Sequence, residues 1–273
     1  MRCGILGATK SVLVCGVLVS VLAGCSSITS NTQRAEPVAK FEDVESALRL
    51  ADNLRDRGEL TTAIAIYQQA ANRTDNVEVL TKLGHALSAN GAKEHAAGVF
   101  RRAVSKAPKN PEALLGLGVA YLELGNVDKS IQYLDQLIQE GNSTNLNRYS
   151  ALGAALDVDG QHDRALATYQ AGLEIEPNNL DLKTNLALSH ALNDRFDAAI
   201  NVMNEVTESL DAQISHQRNM VLILALAGKS REAVAMGYRR LGENETRAVL
   251  SQASAARGLT NAADRARAMI GLS

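Results

Sequence analysis

Three cysteines, five histidines, a Gly-Lys-Ser run and a close pair of aspartates are the groups in this 273-residue chain that could support chemistry. Gly228-Lys229-Ser230 ends like a phosphate-binding loop, but the glycine required five residues earlier is Ile223, and no strand precedes it. It reads as a helical turn. Gly116-Leu117-Gly118 lacks the third glycine of a dinucleotide fingerprint, because Tyr121 stands there. His85, His95, His162, His190 and His216 form no pair at metal-ligand spacing on one helix, so no metal and no cofactor is expected. Asp157 and Asp159 could be a general acid and base, but they flank Gly160 at what reads as a solvated turn. Nothing apolar beside them in sequence would raise a carboxylate, and they read as turn residues. The chain is expected to be non-enzymatic and to have no small-molecule substrate.

The thiols remain, and only Cys25 has a distinctive context. Arg2 and Lys10 make a basic start, Ser11 to Leu22 is apolar, and Leu22-Ala23-Gly24 leads into Cys25. That layout is a secretory signal peptide. It is too short for a membrane span, which takes about 20 apolar residues. The leader resembles that of bacterial lipoproteins, with Leu three residues before the cysteine, small residues between, and cleavage directly ahead of the thiol. This resemblance implies that residues 1–24 are removed and that Cys25 carries diacylglycerol and palmitate. It also implies that Ser26, not being Asp, permits transfer to the periplasmic face of the outer membrane. Cys3 and Cys15 leave with the leader, so the mature chain has no disulfide even in an oxidising compartment. Residues 25–40, rich in Ser, Thr, Asn and Gln with Pro37, lack apolar periodicity and read as a flexible tether.

A formal net charge of -2 gives no electrostatic case for nucleic acid. Aromatic residues at 3%, with no Trp, argue against a carbohydrate cleft and for helices packed through Ala and Leu.

These groups ride on a repeat. Leu50-Ala51, Leu83-Gly84, Leu117-Gly118, Leu152-Gly153 and Leu186-Ala187 recur at steps of 33, 34, 35 and 34 residues, with Met220-Val221 a weaker sixth member. A turn residue follows each by seven: Gly58, Gly91, Gly125, Gly160, Asp194 and Gly228. Five further on comes a small residue, Ala63, Ala96, Ser130, Ala165, Ala199 or Ala233. Tyr67, Phe100, Leu134, Tyr169, Met203 and Gly237 follow by four, on the same helical face. The unit is helix, tight turn, helix.

This pattern resembles the tetratricopeptide repeat. Pro108 and Pro177 fall where that family ends its second helix. The resemblance implies an all-α fold, a right-handed superhelical solenoid of about six helix-turn-helix repeats over residues 41–245. Residues 246–273 would be capping helices, Thr246 to Arg257 and Asn261 to Ile270, stopped by Gly258 and Gly271. The last repeat, with Gly237 and Arg240 in place of apolar residues, is expected to be irregular.

If the repeats stack as in that family, first helices line the concave side. Facing inward are then Glu78, Lys82, His85, Glu112, Leu115, Val119, Leu122, Asn147, Ser150, Ala154, Asp157, Asp181, Asn185, Leu188, Arg218, Asn219 and Leu222. Asn185 and Asn219 lie 34 residues apart, and an amide there can hold a peptide backbone because it both donates and accepts. Met220 to Ala227 is apolar all round, so it needs cover on the concave side too, from the chain's own C-terminal helices or from a partner. A partner would dock near Leu188, Leu192, Leu222 and Leu226. The candidate groove is therefore Lys82, His85, Val119, Leu122, Asn185, Leu188, Leu192, Arg218, Asn219, Leu222 and Leu226.

The stretch from Tyr149 to Ile200, with Tyr-Ser-Ala-Leu-Gly-Ala-Ala-Leu-Asp-Val-Asp-Gly-Gln-His-Asp-Arg-Ala, Glu-Pro-Asn-Asn and Asn-Leu-Ala-Leu-Ser-His-Ala-Leu-Asn, resembles the TadD lipoproteins of the tight adherence (Flp) pilus assembly system. So does Arg218-Asn219-Met220 to Leu226-Ala227-Gly228-Lys229. The resemblance implies a pilotin-like scaffold for assembling the outer-membrane secretin and other pilus components. A type IV pilus secretin pilotin and a regulator of peptidoglycan synthesis are the competing repeat lipoproteins. Replacing Cys25→Ala is expected to abolish palmitate labelling and to move the protein out of the outer-membrane fraction. Unchanged labelling and fractionation would overturn the anchor.

Overall fold

The computed structural model describes residues 43–141 and 143–270. The leader, Cys25, the tether to residue 40 and Gly271 lie outside the described residues. Among those described, the secondary structure is fourteen α-helices. Twelve form antiparallel pairs: α1 (Val44–Asp56) with α2 (Leu60–Ala71), α3 (Val77–Ala89) with α4 (Lys93–Lys106), α5 (Pro111–Glu123) with α6 (Val127–Glu140), α7 (Asn147–Val158) with α8 (His162–Ile175), α9 (Leu180–Leu192) with α10 (Phe196–Glu208), and α11 (Ile214–Leu226) with α12 (Ser230–Arg240). Each pair packs on the next, and α13 (Glu243–Gly258) and α14 (Ala262–Ile270) follow.

Local chemistry starts and stops these helices. Asp43, Asn76, Asn110 and Asn179 accept hydrogen bonds from backbone N–H groups of the first turn of α1, α3, α5 and α9, which would otherwise lack partners. Pro111 opens α5, where a missing N–H costs nothing. All six turn residues named from the sequence have positive φ, including Asp194 at 54°, the one non-glycine so placed among the described residues. Asp tolerates that region better than a branched residue would.

The small column of the second helices, Ala63, Ala96, Ser130, Ala165, Ala199 and Ala233, is fully buried. The large residue four further on fills the space beyond. Phe100 packs between Gly84 and Gly116; a Cβ at Gly84 would lie 2.7 Å from the Phe100 ring. Leu134 faces Gly118, and Tyr169 faces Gly153, in the same way. A glycine on the first helix and a bulky residue on the second thus set the distance between the two helices of a pair, and Phe100 against Gly116 sets that between one pair and the next.

The C-terminal end departs from expectation in three respects. The sixth pair is regular, because Gly237 receives the next helix: a Cβ there would lie 2.5 Å from Thr246 Cγ2. Thr246 is inside α13, which begins at Glu243 directly after Gly242 at φ 84°. The helix α13 packs on α11 and α12, whereas α14 turns away and packs on α13, α7 and α9. Every residue from Met220 to Leu226 is buried, with α13 among the helices covering α11. No described helix is long and apolar enough to cross a membrane.

A Gly153→Val substitution is expected to lower stability by about 1–3 kcal/mol, since the buried Tyr169 ring must give way. Gly98→Ala, in α4 where an added Cβ would meet nothing, should instead stabilise by about 0.5–1 kcal/mol. Urea unfolding of the two variants checks the sign of each shift.

Candidate functional site

The open part of the concave side lies over α5, at a cavity of about 450 Å³. Its floor is apolar, made by Phe100, Leu115, Val119, Leu122, Leu188 and the ring of Tyr169. Gly116, Ala151 and Ala154 keep its walls low, and His85, Ser88, Asn147, Ser150 and Asn185 supply the polar rim. Phe100 and Tyr169 belong to second helices and reach the cavity because the first-helix positions in front of them, Gly116 and Gly153, carry no side chain. The arrangement can take apolar side chains into the floor while the rim amides and hydroxyls exchange hydrogen bonds with a backbone.

His85 meets Phe100 edge-on, with ring centroids 5.1 Å apart, and its Nε2 is 3.8 Å from Glu112. The surrounding apolar groups hold its imidazole below the ordinary range, although Glu112 pulls the other way.

Of the residues expected to form the groove, His85, Val119, Leu122, Asn185 and Leu188 line this one cavity. Lys82 is instead held by Asp52 of α1, its Nζ donating to Oδ2 at 2.8 Å. The other five lie beyond the cavity. Leu192 is buried and its carbonyl accepts from Arg265 at 3.0 Å; Leu222 and Leu226 are buried as well. Arg218 donates to Glu245 at 2.8 Å and to Gln252 at 2.6 Å, and Asn219 is half-buried on α11. Of the two covers that the sequence allows, the chain's own C-terminal helices are the one present, so Leu192, Leu222 and Leu226 lie beneath the chain itself.

Asp157 is a second correction. It is 1% exposed, not solvated, and its carboxylate is the hub of a polar cluster joining α7, α8 and α9. Oδ1 accepts from Ser189 Oγ at 2.8 Å and pairs with His162 Nδ1 at 2.8 Å, while Oδ2 accepts from the Tyr169 hydroxyl at 3.2 Å. Burial, and then the Asp157 charge, push the Tyr169 phenol well above its ordinary range, so it stays protonated and donates. A related clamp holds the first two pairs. Asp52 accepts from Tyr67, Lys82 and Arg55, and although burial pulls its carboxyl upward, these partners hold it below the ordinary range. Each clamp ties one first helix to the next. The sequence signal was present in Tyr67 and Tyr169, whose hydroxyls need partners at a position where Phe100 and Leu134 need none. Sequence reasoning also missed Phe100 and Tyr169 as cavity residues, because it assigned the groove to first helices alone, and it passed over Ser88 on the first helix α3. Among the described residues, no group of three His, Cys, Asp or Glu could hold a metal ion.

Residues 81–143 and 159–220 each match a family model described as "Tetratricopeptide repeat". The chain is 34% identical over 83 residues to Hsp70-Hsp90 organizing protein 2 of Arabidopsis thaliana, covering 30% of this chain and 14% of that one. It is 22% identical over 203 residues to TPR repeat-containing protein MJ1428 of Methanocaldococcus jannaschii, covering 71% and 33%. The chain thus spans well under half the length of these relatives. Among solved structures, it is similar to PilW, a widely conserved type IV pilus biogenesis factor, with TM-score 0.68, 18% identity, and coverage of 77% of this chain and 100% of that one. A tetratricopeptide repeat protein from Parabacteroides merdae gives TM-score 0.61 at 15% identity over 83% and 98%. At these identities, the likeness to the solved structures is one of fold.

Asp157→Ala is expected to cost about 3 kcal/mol, since Ser189, Tyr169 and His162 lose a shared buried acceptor. Asp159→Ala, at an exposed position two residues on, should change stability by no more than about 0.5 kcal/mol. Equal urea midpoints for the two variants would contradict the clamp.

Proposed function

The chain is a tetratricopeptide-repeat protein, and from that premise we propose that it is a non-catalytic, lipid-anchored scaffold whose concave cavity holds a segment of a partner protein during assembly of an outer-membrane secretin and its Flp pilus. The observation that carries the reading is the apolar cavity with an amide-bearing rim, built from α3, α4, α5, α7, α8 and α9. An extended or helical segment with an apolar anchor fits such a site, and the rim holds its backbone. The lipid expected on Cys25 would confine scaffold and secretin to one membrane, raising their effective concentration so that modest contacts suffice. Several acyl chains on that residue would make attachment durable, where one chain gives reversible binding.

A second reading, a type IV pilus biogenesis factor, is favoured by the likeness to PilW over the whole of that structure. Both readings use the same cavity and differ in the secretin served.

In a strain lacking the protein, secretin multimers and surface pili are expected to fall. The wild-type chain should restore them, and Val119→Asp, which charges the half-buried cavity floor, should not, although its helix content and abundance stay normal. Affinity purification of wild type and Val119→Asp should differ in one co-purifying chain. Normal multimers in the deletion strain would sink the assembly role, and identical captured chains would sink the cavity as the binding surface.

A further inference from the structure

The concave channel has two parts, one open and one occupied by the chain's own α14. Both are built on α7 and α9. On α9, Leu188 lines the open cavity, while Leu192, one turn later, gives its carbonyl to Arg265 Nη2 at 3.0 Å. Arg267 reaches the turn after α5, where a Cβ on Gly125 would lie 3.5 Å from its guanidinium. The helix α14 therefore extends from the end of α9 toward that of α5, alongside the cavity.

What holds it there is slight. It is nine residues long, too short to persist as an isolated helix in water, so its structure depends on being docked. Among its described side chains, Ala266 and Met269 are fully buried, with Ala263 half-buried three residues before Ala266. Among the described residues, half-buried Ala268 also packs on the core, and the polar fastenings are the Arg265 bond to Leu192, an Arg265 to Asp194 approach of 4.0 Å, and Gln252 donating to the Ala268 carbonyl at 2.6 Å. Docking also leaves Arg265 Nε buried without an acceptor, which works against the bound position. The rest of the chain follows another rule, since each repeat helix is locked between neighbours by small and large columns. Having no place in that register, α14 can leave without dismantling a repeat.

We propose that α14 is a displaceable internal ligand of the concave channel, and that a partner helix with the same apolar stripe takes its place. The stripe is Ala263, Ala266 and Met269, a small residue, a second small residue three on, and a long flexible one three beyond, with a flanking arginine for the Leu192 carbonyl. Displacement joins the cavity over α5 to the face of α7 and α9 beneath α14, giving one uninterrupted channel. This rests on the reading that the groove receives a partner chain, and adds what the partner must compete with.

Amide hydrogen exchange on the full chain tests it directly. The amides of α14 are expected to exchange at least tenfold faster than those of α9, marking local opening below global unfolding. In Arg265→Ala, that difference should widen, and binding of the apolar dye bis-ANS should rise several-fold with helix content unchanged. Met269→Asp, which charges the buried end of the stripe, should do the same and guards against a silent first variant. Exchange in α14 as slow as in α9 would overturn the proposal, as would release of α14 without a rise in dye binding. Both readouts are independent of any partner. Capture of the same chain by wild type and Val119→Asp would therefore remove the cavity as the partner's surface, while the release of α14 is decided by exchange and dye binding.

Discussion

The stack depends on a missing atom. Where Gly84, Gly118 and Gly153 present bare backbone, the bulky residue of the second helix can press against the first helix of its own pair, and at Gly116 against that of the next, and that approach sets the spacing within and between pairs. Phe100 meets glycine on its own pair and on the next, so it couples the register of both. The same contact makes the site. With no side chain in front of them, the Phe100 and Tyr169 rings become part of the cavity floor. Packing and binding surface are therefore one solution to one steric constraint, and changing either glycine changes both.

Polar clamps add direction to this apolar stacking. Hydrophobic contact tolerates small slips between helices, while a buried carboxylate with several donors does not. Asp52 fixes the first two pairs through Tyr67 and Lys82, and Asp157 fixes the fourth and fifth through Tyr169 and Ser189. Between them the buried side chains divide into two clusters that meet at α5, where Leu117 belongs to one and Leu114 to the other. The open cavity lies over that junction. The two clamps thus lie on either side of the junction, and Tyr169 of the second also lines the cavity.

Much of this was legible in the sequence, because short-range spacing encodes it. The turn residues, down to Asp194 with its positive φ, and the buried alanine column follow from a period that any copy reveals. The burial of Asp157 was not legible, since the cover comes from α9 and its donor Ser189 lies 32 residues on. A carboxylate beside a turn glycine looks solvated until the next pair is stacked upon it. Within the groove, His85, Val119, Leu122, Asn185 and Leu188 were readable as first-helix positions facing inward. The sequence left the cover on Leu222 and Leu226 open between the chain's own C-terminal helices and a partner, and α13 supplies it; the place of α14 on α7 and α9 was not legible, because it has a short stripe and no repeat phase.

That excursion of α14 alters how the chain comes apart. A stack in which each pair touches only its neighbours loses structure from its ends, one unit at a time. Arg265 and Leu192 are 73 residues apart, and their bond closes a loop around α10, α11, α12 and α13. While the loop is closed those helices are tied back to α9, and release of α14 is the step that lets them peel away in sequence. Among the described residues, the side-chain hydrogen bonds of α1 and α2 reach no further than the neighbouring pair. One end of a linear array thereby acquires a latch.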